Sequence, residues 1–442
     1  MLSFCAADFV SPRATLRRNS MADHVPQLEP KMLERVAALR GLPAVEAAFE
    51  VCAEEVERAM AEQIRISETE SPTFAEKVRG ELIMELLREY GLTDVVMDES
   101  GNVVGRRPGT GAGPVLAIAA HLDTVFPAGT DLKVTKDGAL YRGPGIGDNA
   151  SGLRSMLQVL RALNRAQIAT TGDILFVGTV GEEGNGDIRG AKALFDGSRQ
   201  IDGFIALDMA DVNTVQNGAT GAHRWRVAIE GTGGHSYLDY GMVPSAIHAM
   251  GRALNVIADF DPPSDPKTTF TVGTIKGGTT VNTIAARCEV DVDMRSVNLE
   301  ELDELEKKTL DAFRLGVELE NKRWPKAGPE RQLKLVLTQI GNRPAGMQPD
   351  DSPAVQAALC AMKQMDLEVK QCRPSSTDAN KPISIGVPSV CIGTGGVTHN
   401  EHSLKEFFDS TGMEKGPQLA LLTTLALVGI DGVSTPMLPK LG

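Results

Sequence analysis

Cysteine is scarce in this chain and scattered: Cys5, Cys52, Cys288, Cys360, Cys372 and Cys391 show no CxxC spacing. That excludes a disulfide framework and leads us to expect a reducing, cytoplasmic setting. Aromatic residues make up 4% of the chain, against 42% hydrophobic residues in all, the balance of a soluble α/β protein poor in aromatics. No apolar run reaches the roughly 18–20 residues of a membrane span. Positive charge is in deficit, with a net charge of −13. This argues against nucleic acid and anionic membranes as partners. An acidic balance suits a divalent-cation site, and it equally suits a solubilising surface. The first twenty residues carry Arg13, Arg17 and Arg18 but no apolar h-region with a cleavage site, so no signal peptide is expected. Residues 1–29 read as a disordered tail, with Met21 as an alternative start.

The Gly-rich stretch "GPGIGDNASG", Gly143 to Gly152, lacks two further things. It has no Gly-Lys-Ser/Thr ending, so it is not a P-loop, and no third glycine at the spacing of a dinucleotide fingerprint. What it does hold is a single carboxylate, Asp148, framed by small residues.

A length of 442 residues allows two or three domains. Apolar residues at three- and four-residue spacing predict helices from Pro30 to Tyr90, followed by short strands in "DVVMDES" and "GNVVGRRPG". Three apolar runs then read as buried strands. "PVLAIAAH" ends at His121, "DILFVGTV" runs into Glu182–Glu183, and "GFIALD" ends at Asp208. Between the first two, "LRSMLQVLRALN" places Leu153, Met156, Leu157, Leu160 and Leu163 on one helical face. Strands alternating with helices predict an α/β fold with a mixed, mostly parallel sheet sandwiched by helices. Ligands of such sheets sit beyond the carboxyl ends of the strands, so the three strand ends define one site. From Gly221 the pattern changes to half-exposed alternating strands with helices at 245–260 and 299–321. That is the β-α-β-β-α-β order of a ferredoxin-like α+β unit. The expected organisation is a catalytic domain of residues 30–221 and 339–442, interrupted by an inserted unit at 222–338.

His121, Asp123, Asp148, Glu182, Glu183, Asp208 and His402 offer carboxylate oxygens and imidazole nitrogens, a donor set for Zn²⁺, Mn²⁺ or Co²⁺. In the His-x-Asp at 121–123, His121 binds an ion through one ring nitrogen while Asp123 orients it. Adjacent Glu182 and Glu183 cannot both be ordinary ligands of one ion without strain, so one ligates while its neighbour serves as a base. Each feature alone is weak and reads more readily as solvated surface.

The order of the motifs carries more weight. "HLDTVFP", "GIGDNASG", "VGEEGNGDIRGAK", "ALDMAD", "GTGGHS", "GGTTVNTIAARCEVDVDMRS", "STDAN" and "EHSLKEFF" follow one another along the chain. Together they resemble the zinc exopeptidase and amidohydrolase family of tripeptidase T, carboxypeptidase G, aminoacylase, carnosinase and succinyl-diaminopimelate desuccinylase, over about residues 30–435. The resemblance implies two divalent ions, zinc first with cobalt or manganese as alternatives, about 3–4 Å apart and bridged by one carboxylate and a water. It assigns Asp148 as the bridge, His121 and Asp208 to one ion, Glu183 and His402 to the other, and Glu182 as the general base. It implies that the inserted unit is a lid through which two copies pair. His235 then reaches into the partner's site to stabilise an oxyanion, while Asn282 and Arg295 bind substrate. The bland alternative for Arg295 is a strand-surface cation paired with Asp293 or Asp291. Thr377 and Asp378 fall in a loop near the site. For the last ligand, His402 has the family's Glu four residues on, Glu406; His399 has Ser403 there.

Two departures bear on substrate. Ala150 stands where many relatives have Lys, and Asp208, rather than Glu, is the peptidase-like choice. The expected activity is hydrolysis of amide bonds in short peptides, by a di- or tripeptidase or aminopeptidase. N-acyl- or N-carbamoyl-amino-acid hydrolysis is the enzyme alternative. The two-zinc enzymes of the aminopeptidase Y type share "DNASG" but lack the inserted unit. A binding relative without activity is the non-enzyme alternative; the presence of every ligand and of Glu182 argues against it.

Overall fold

The computed structural model describes residues 24–111 and 113–441. The expected tail therefore lies outside the described residues up to residue 23. Four helices come first: α1 (Pro30–Arg40), α2 (Pro43–Glu54), α3 (Val56–Ser67) and α4 (Lys77–Glu89). Proline at the first helical position starts α1 and α2, where its missing N–H costs nothing. The periodicity of residues 44–68 continues across both α2 and α3, yet the helix breaks at Glu55. There the backbone leaves helical geometry and the carboxylate accepts from Arg161 and Arg165 at 2.6 and 2.8 Å.

The chain continues through β1 (Asp94–Met97), β2 (Val103–Arg107), β3 (Val115–His121), β4 (Thr135–Asp137) and β5 (Leu140–Arg142). Next come α5 (Ala150–Arg165), β6 (Asp173–Thr179), α6 (Arg189–Leu194), β7 (Gly203–Leu207) and β8 (Thr214–Ala219). A central stretch holds β9 (Gly221–Glu230), β10 (Gly234–His235), α7 (Ala246–Ala258), β11 (Thr268–Gly277), β12 (Thr283–Ile284), β13 (Arg287–Ser296), α8 (Leu299–Arg323) and β14 (Lys334–Arg343). The chain closes with β15 (Gly346–Met347), α9 (Pro353–Gln364), β16 (Gln371–Ser375), α10 (Asn380–Ser384), β17 (Ser389–Ile392), β18 (Val397–His399), β19 (Phe407–Asp409) and α11 (Lys415–Val428).

The main sheet runs β1-β2-β6-β3-β7-β17-β8-β15, with β16 beside β8. Its centre, β6-β3-β7-β17, is parallel; β1, β2 and β15 are antiparallel flanks. Helices cover both faces, and β3 shows why. Leu116 and Ile118 join the core formed with α5, α9 and α11. Ala117 and Ala119 join a separate core that includes Leu194 of α6 and Ile383 of α10. A strand buried on both faces reads as one apolar run rather than as an alternation, as β6 and β7 also do. Burying each Leu or Ile contributes about 1.5–3 kcal/mol.

A second sheet, β11-β13-β9-β14, is antiparallel throughout and has the expected split order. One face packs on α7 and α8 through Val227, Val290, Val292, Ala249 and Phe313. The other carries the pairs Arg226–Asp291 and Arg224–Asp293. Its strands begin at Gly221 and end at Arg343.

A small sheet, β18-β19-β5-β4, has no counterpart in the sequence reading, because three-residue strands leave no periodicity. It brings the segment around His402 back to the Gly-rich stretch, where the Gly143 N–H donates to the Glu406 carbonyl at 3.1 Å.

Candidate metal centre

The carboxyl ends of β3, β6 and β7 converge, and the Gly-rich stretch supplies the middle of the site. Asn149 caps α5: its carbonyl oxygen accepts from Gly152 N at 2.9 Å, and its amide donates to Leu207 O at 2.9 Å. The residue before this cap, Asp148, is thereby set against the end of β7.

Asp148 stands between two imidazoles. Its Oδ1 lies 3.0 Å from His121 Nε2 and its Oδ2 3.0 Å from His402 Nε2. His402 Nε2 is also 3.0 Å from Glu183 Oε1, and His121 Nε2 is 4.0 Å from Asp208 Oδ1. Oxygen and nitrogen atoms of His121, Asp148 and Glu183 can be chosen that all lie within 4.8 Å of one another. The structure thus brings together His121, Asp148, Glu183, Asp208 and His402. It leaves His399 apart, its ring stacked on Phe407 with centroids 4.7 Å apart.

The second layer holds these groups in place. His121 Nδ1 is 3.0 Å from the carbonyl oxygen of Asp123. A carbonyl can only accept, so Nδ1 donates to it and Nε2 is the nitrogen turned toward Asp148. Asp123 therefore orients the ring with its backbone, not its side chain, which lies 3.7 Å away. Its carboxylate accepts instead from the N–H groups of Glu182 and Glu183, at 2.9 and 3.0 Å, and from the Thr73 hydroxyl at 2.9 Å. Arg79, fully buried, donates to the carbonyls of Leu122 at 2.9 Å and Thr69 at 2.8 Å, pinning the chain beyond β3. Burial lowers its pKa to about 10.

Without ions the site is an electrostatic conflict. Burial pushes Asp208 up to about 7, opposed by His121 and reinforced by Asp148 and Glu183. Burial likewise raises Glu182 well above the carboxylate range despite the Arg343 guanidinium beside it. Burial disfavours charge on Asp148 too, but hydrogen bonds from His121 and His402 outweigh it and hold this carboxyl far below its ordinary value. His402 is raised to about 11, chiefly by its hydrogen bond to Asp148, then by that to Glu183. Several carboxylates sharing two imidazoles, His121 buried and His402 exposed, are a set that cations neutralise. Imidazole nitrogen with carboxylate oxygen suits zinc-like ions. The residues present fit such a pair.

Asp378 is also buried here. It accepts from the Thr179 hydroxyl at 2.5 Å, and burial raises it to about 6. Asn380, two residues on, caps the loop by accepting from Thr377 N at 2.9 Å.

The residues expected to meet substrate from the inserted unit contact none of these groups within the chain. His235 is exposed, its Nδ1 accepting from the N–H groups of Tyr237 and Leu238 at 3.2 and 3.3 Å. Asn282 Oδ1 accepts from the Thr280 hydroxyl at 3.0 Å. Arg295 donates to Asp293 at 2.7 Å, the strand-surface pairing that is the alternative to substrate binding. Three contributors escaped the sequence reading. Thr73, Arg79 and Arg343 come from distant segments with no motif around them, and only the fold delivers them.

The protein is therefore built as an α/β fold with a candidate metal centre at its strand ends and an added split β-α-β-β-α-β unit. Residues 117–425 match the family described as peptidase family M20/M25/M40, and the chain belongs to that family. It is similar to a tripeptidase of Staphylococcus aureus, with 26% identity over 83% of this chain and 97% of that one and a TM-score of 0.69. It shares its fold with aminopeptidase PepT of Bacillus cereus, at 22% identity, 83% and 97% coverage and a TM-score of 0.69. It also shares it with a dinuclear metal binding peptidase of Bacillus subtilis, at 16% identity, 85% and 99% coverage and a TM-score of 0.61. An N-acetyldiaminopimelate deacetylase of Halalkalibacterium halodurans is 29% identical over 160 residues, spanning 33% of this chain and 42% of that one.

Proposed function

We propose that this protein hydrolyses amide bonds in short peptides at a centre of two divalent ions, with Glu182 as general base. The observation that carries this is the Asp148 carboxylate held 3.0 Å from each of two histidine nitrogens, with buried Glu182 adjoining. His121 and Asp208 would hold one ion, Glu183 and His402 the other, and Asp148 both; zinc is the first candidate, cobalt and manganese the others. When bound, such ions polarise the scissile carbonyl and acidify water.

The remaining chemistry falls to the chain itself. Glu182 removes a proton from the attacking water and returns it to the leaving amine. Burial keeps its pKa high, which suits a group that must both take and give a proton. A cleft of about 1250 Å³ opens beside His402, lined by Val125, Phe126, Arg142, Leu404 and Lys405 among others, and gives a short peptide room. His235 accepts backbone N–H groups at Nδ1, so its neutral ring donates from Nε2, as stabilising an oxyanion requires. His235 would act in the site of a second copy. Tyr237, Leu238, Tyr240 and Val281 are exposed around it, an apolar surface that pairing of two inserted units would cover. Asn282 and Arg295 would then hold the substrate's carboxylate, Arg295 by turning from Asp293. The described cysteines are all buried and unpaired, in keeping with a reducing, cytoplasmic setting.

The local similarity to a deacetylase favours a second reading, hydrolysis of N-acyl amino acids. A screen of di- and tripeptides against N-acyl and N-carbamoyl amino acids, with added Zn²⁺, Mn²⁺ or Co²⁺, tests both. Turnover confined to peptides supports the first reading and turnover confined to acylated amino acids the second. No hydrolysis of either class contradicts both.

A further inference from the structure

The loop that carries Glu182 is gripped by the ends of two strands of the second sheet. Arg224 of β9 donates to Gly184 O at 2.9 Å. Asn342 N, in β14, donates to Asp187 Oδ2 at 2.9 Å. Arg343, the last residue of β14, is 5% exposed and donates from Nη1 to Glu182 Oε1 at 3.0 Å. Its Nη2 also bonds the Glu182 carbonyl. The guanidinium thus holds both the side chain and the backbone of one residue. Ser376 accepts from Nη1 as well, at 2.9 Å, so this nitrogen is held by two acceptors.

A buried arginine needs a reason, since its charge is costly to desolvate unless it is paired and hydrogen-bonded. Here the partner is the carboxylate read above as the base, and Arg343 Nε remains buried without a hydrogen-bond partner. The packing of the strand end alone does not call for a guanidinium in this place; an apolar side chain would fill it without leaving a donor unpaired. A planar fork that grips a carboxylate and its own carbonyl together restricts where that carboxylate can point.

We infer that Arg343 is a positioning residue for Glu182, aiming the base carboxylate and fixing the loop that carries it from the end of β14. The inference rests on the hydrolase reading above. A general base works only within hydrogen-bond reach of the proton it takes, and a misplacement of about 1 Å can cost about 100-fold in rate. Arg343 touches none of the five candidate metal ligands through its side-chain hydrogen bonds, so its role is separable from ion binding.

The test is a double-mutant cycle on the ion-loaded protein, with Arg343→Ala, Glu182→Gln and the double variant, followed by kcat, KM, ion content and thermal midpoint. Arg343→Ala should lose about 100-fold in kcat with KM and ion content close to the parent's. Arg343→Lys should recover part of that loss, as should added guanidinium ion with Arg343→Ala. In the Glu182→Gln background Arg343→Ala should change kcat little, because a residue acting through another contributes nothing once that other is gone. If Arg343→Ala does not fold, Arg343→Lys carries the cycle in its place. Equal kcat in parent and Arg343→Ala overturns the inference. So does a rise in KM alone, which would make Arg343 a substrate-binding group, and so does full additivity in the cycle. A parent that hydrolyses nothing in the screen overturns the hydrolase reading and this inference with it, whereas an active parent beside an equally active Arg343→Ala overturns this inference alone.

Discussion

Glu406 holds Asp148 by its backbone. One oxygen of the buried Glu406 carboxylate accepts the N–H groups of Gly147 and Asp148 at 2.8 and 3.0 Å, and the other accepts that of Gly145 at 2.7 Å. The Gly-rich stretch does cradle an anion, as such loops do, but the anion is a side chain of the same protein. Gly145 has φ +73°, a region that glycine adopts at least cost.

Glu406→Ala should therefore loosen Asp148. It leaves three buried N–H groups without acceptors, at about 1–3 kcal/mol each, and ion affinity should fall about 10–100-fold. Glu406→Gln, which retains one carbonyl oxygen, should fall between the variant and the parent. Thermal unfolding and ion titration read both; an unaltered affinity in Glu406→Ala would show that the Asp148 loop holds itself.

Asp123→Asn exchanges one acceptor oxygen for an NH2 group facing a backbone N–H of Glu182 or Glu183. Two donors then oppose each other in a buried place. The expected result is a loss of stability of about 1–3 kcal/mol together with reduced hydrolysis, with the His121 ring still held, since the Asp123 carbonyl does that. A circular-dichroism melt and a rate measurement decide it.

Removing ions should destabilise the fold. An ion at about 1,000 times its dissociation constant adds about 4 kcal/mol, so chelation should lower the thermal midpoint and re-addition should restore it. The sign of the pH dependence follows from His402. Its pKa near 11 in the ion-free chain means that a proton occupies the nitrogen an ion needs. Loading should release protons and weaken as pH falls. Calorimetry in buffers of different ionisation enthalpy reads the release; heats that do not depend on the buffer would contradict it.

His402→Ala should remove one ligand and cost ion affinity, while His399→Ala should leave it unchanged. His399 stacks on Phe407, and its loss should show only as a small change in stability. Equal effects of the two substitutions on ion content would contradict the assignment.

The sequence made the parallel centre of the main sheet legible because β3, β6 and β7 are buried on both faces and read as unbroken apolar runs ending in His121, Glu182 and Asp208. It made the split order of the second sheet legible because half-exposed strands alternate. β8, "TVQNGA", and β16, "QCRPS", went unread, since glutamine, asparagine, glycine and proline disfavour strands and only their neighbours in the sheet impose one. At the centre, side chains at strand ends and in the Gly-rich stretch could be picked out by type and order. Thr73 and Arg343 could not, because their roles arise from contacts across 50 and 161 residues of chain. The His-x-Asp spacing points to Asp123 as the neighbour of the His121 ring, but spacing does not tell its carbonyl, which lies 3.0 Å from Nδ1, from its carboxylate.

In the proposed mechanism Glu182 is the base of a hydrolytic centre whose ions are held by other residues. Ion content and hydrolysis measured together on Glu182→Ala test it most directly. The variant should keep the parent's complement of ions and lose about 10²–10⁴-fold in rate. A variant that keeps its ions and hydrolyses as well as the parent would contradict it.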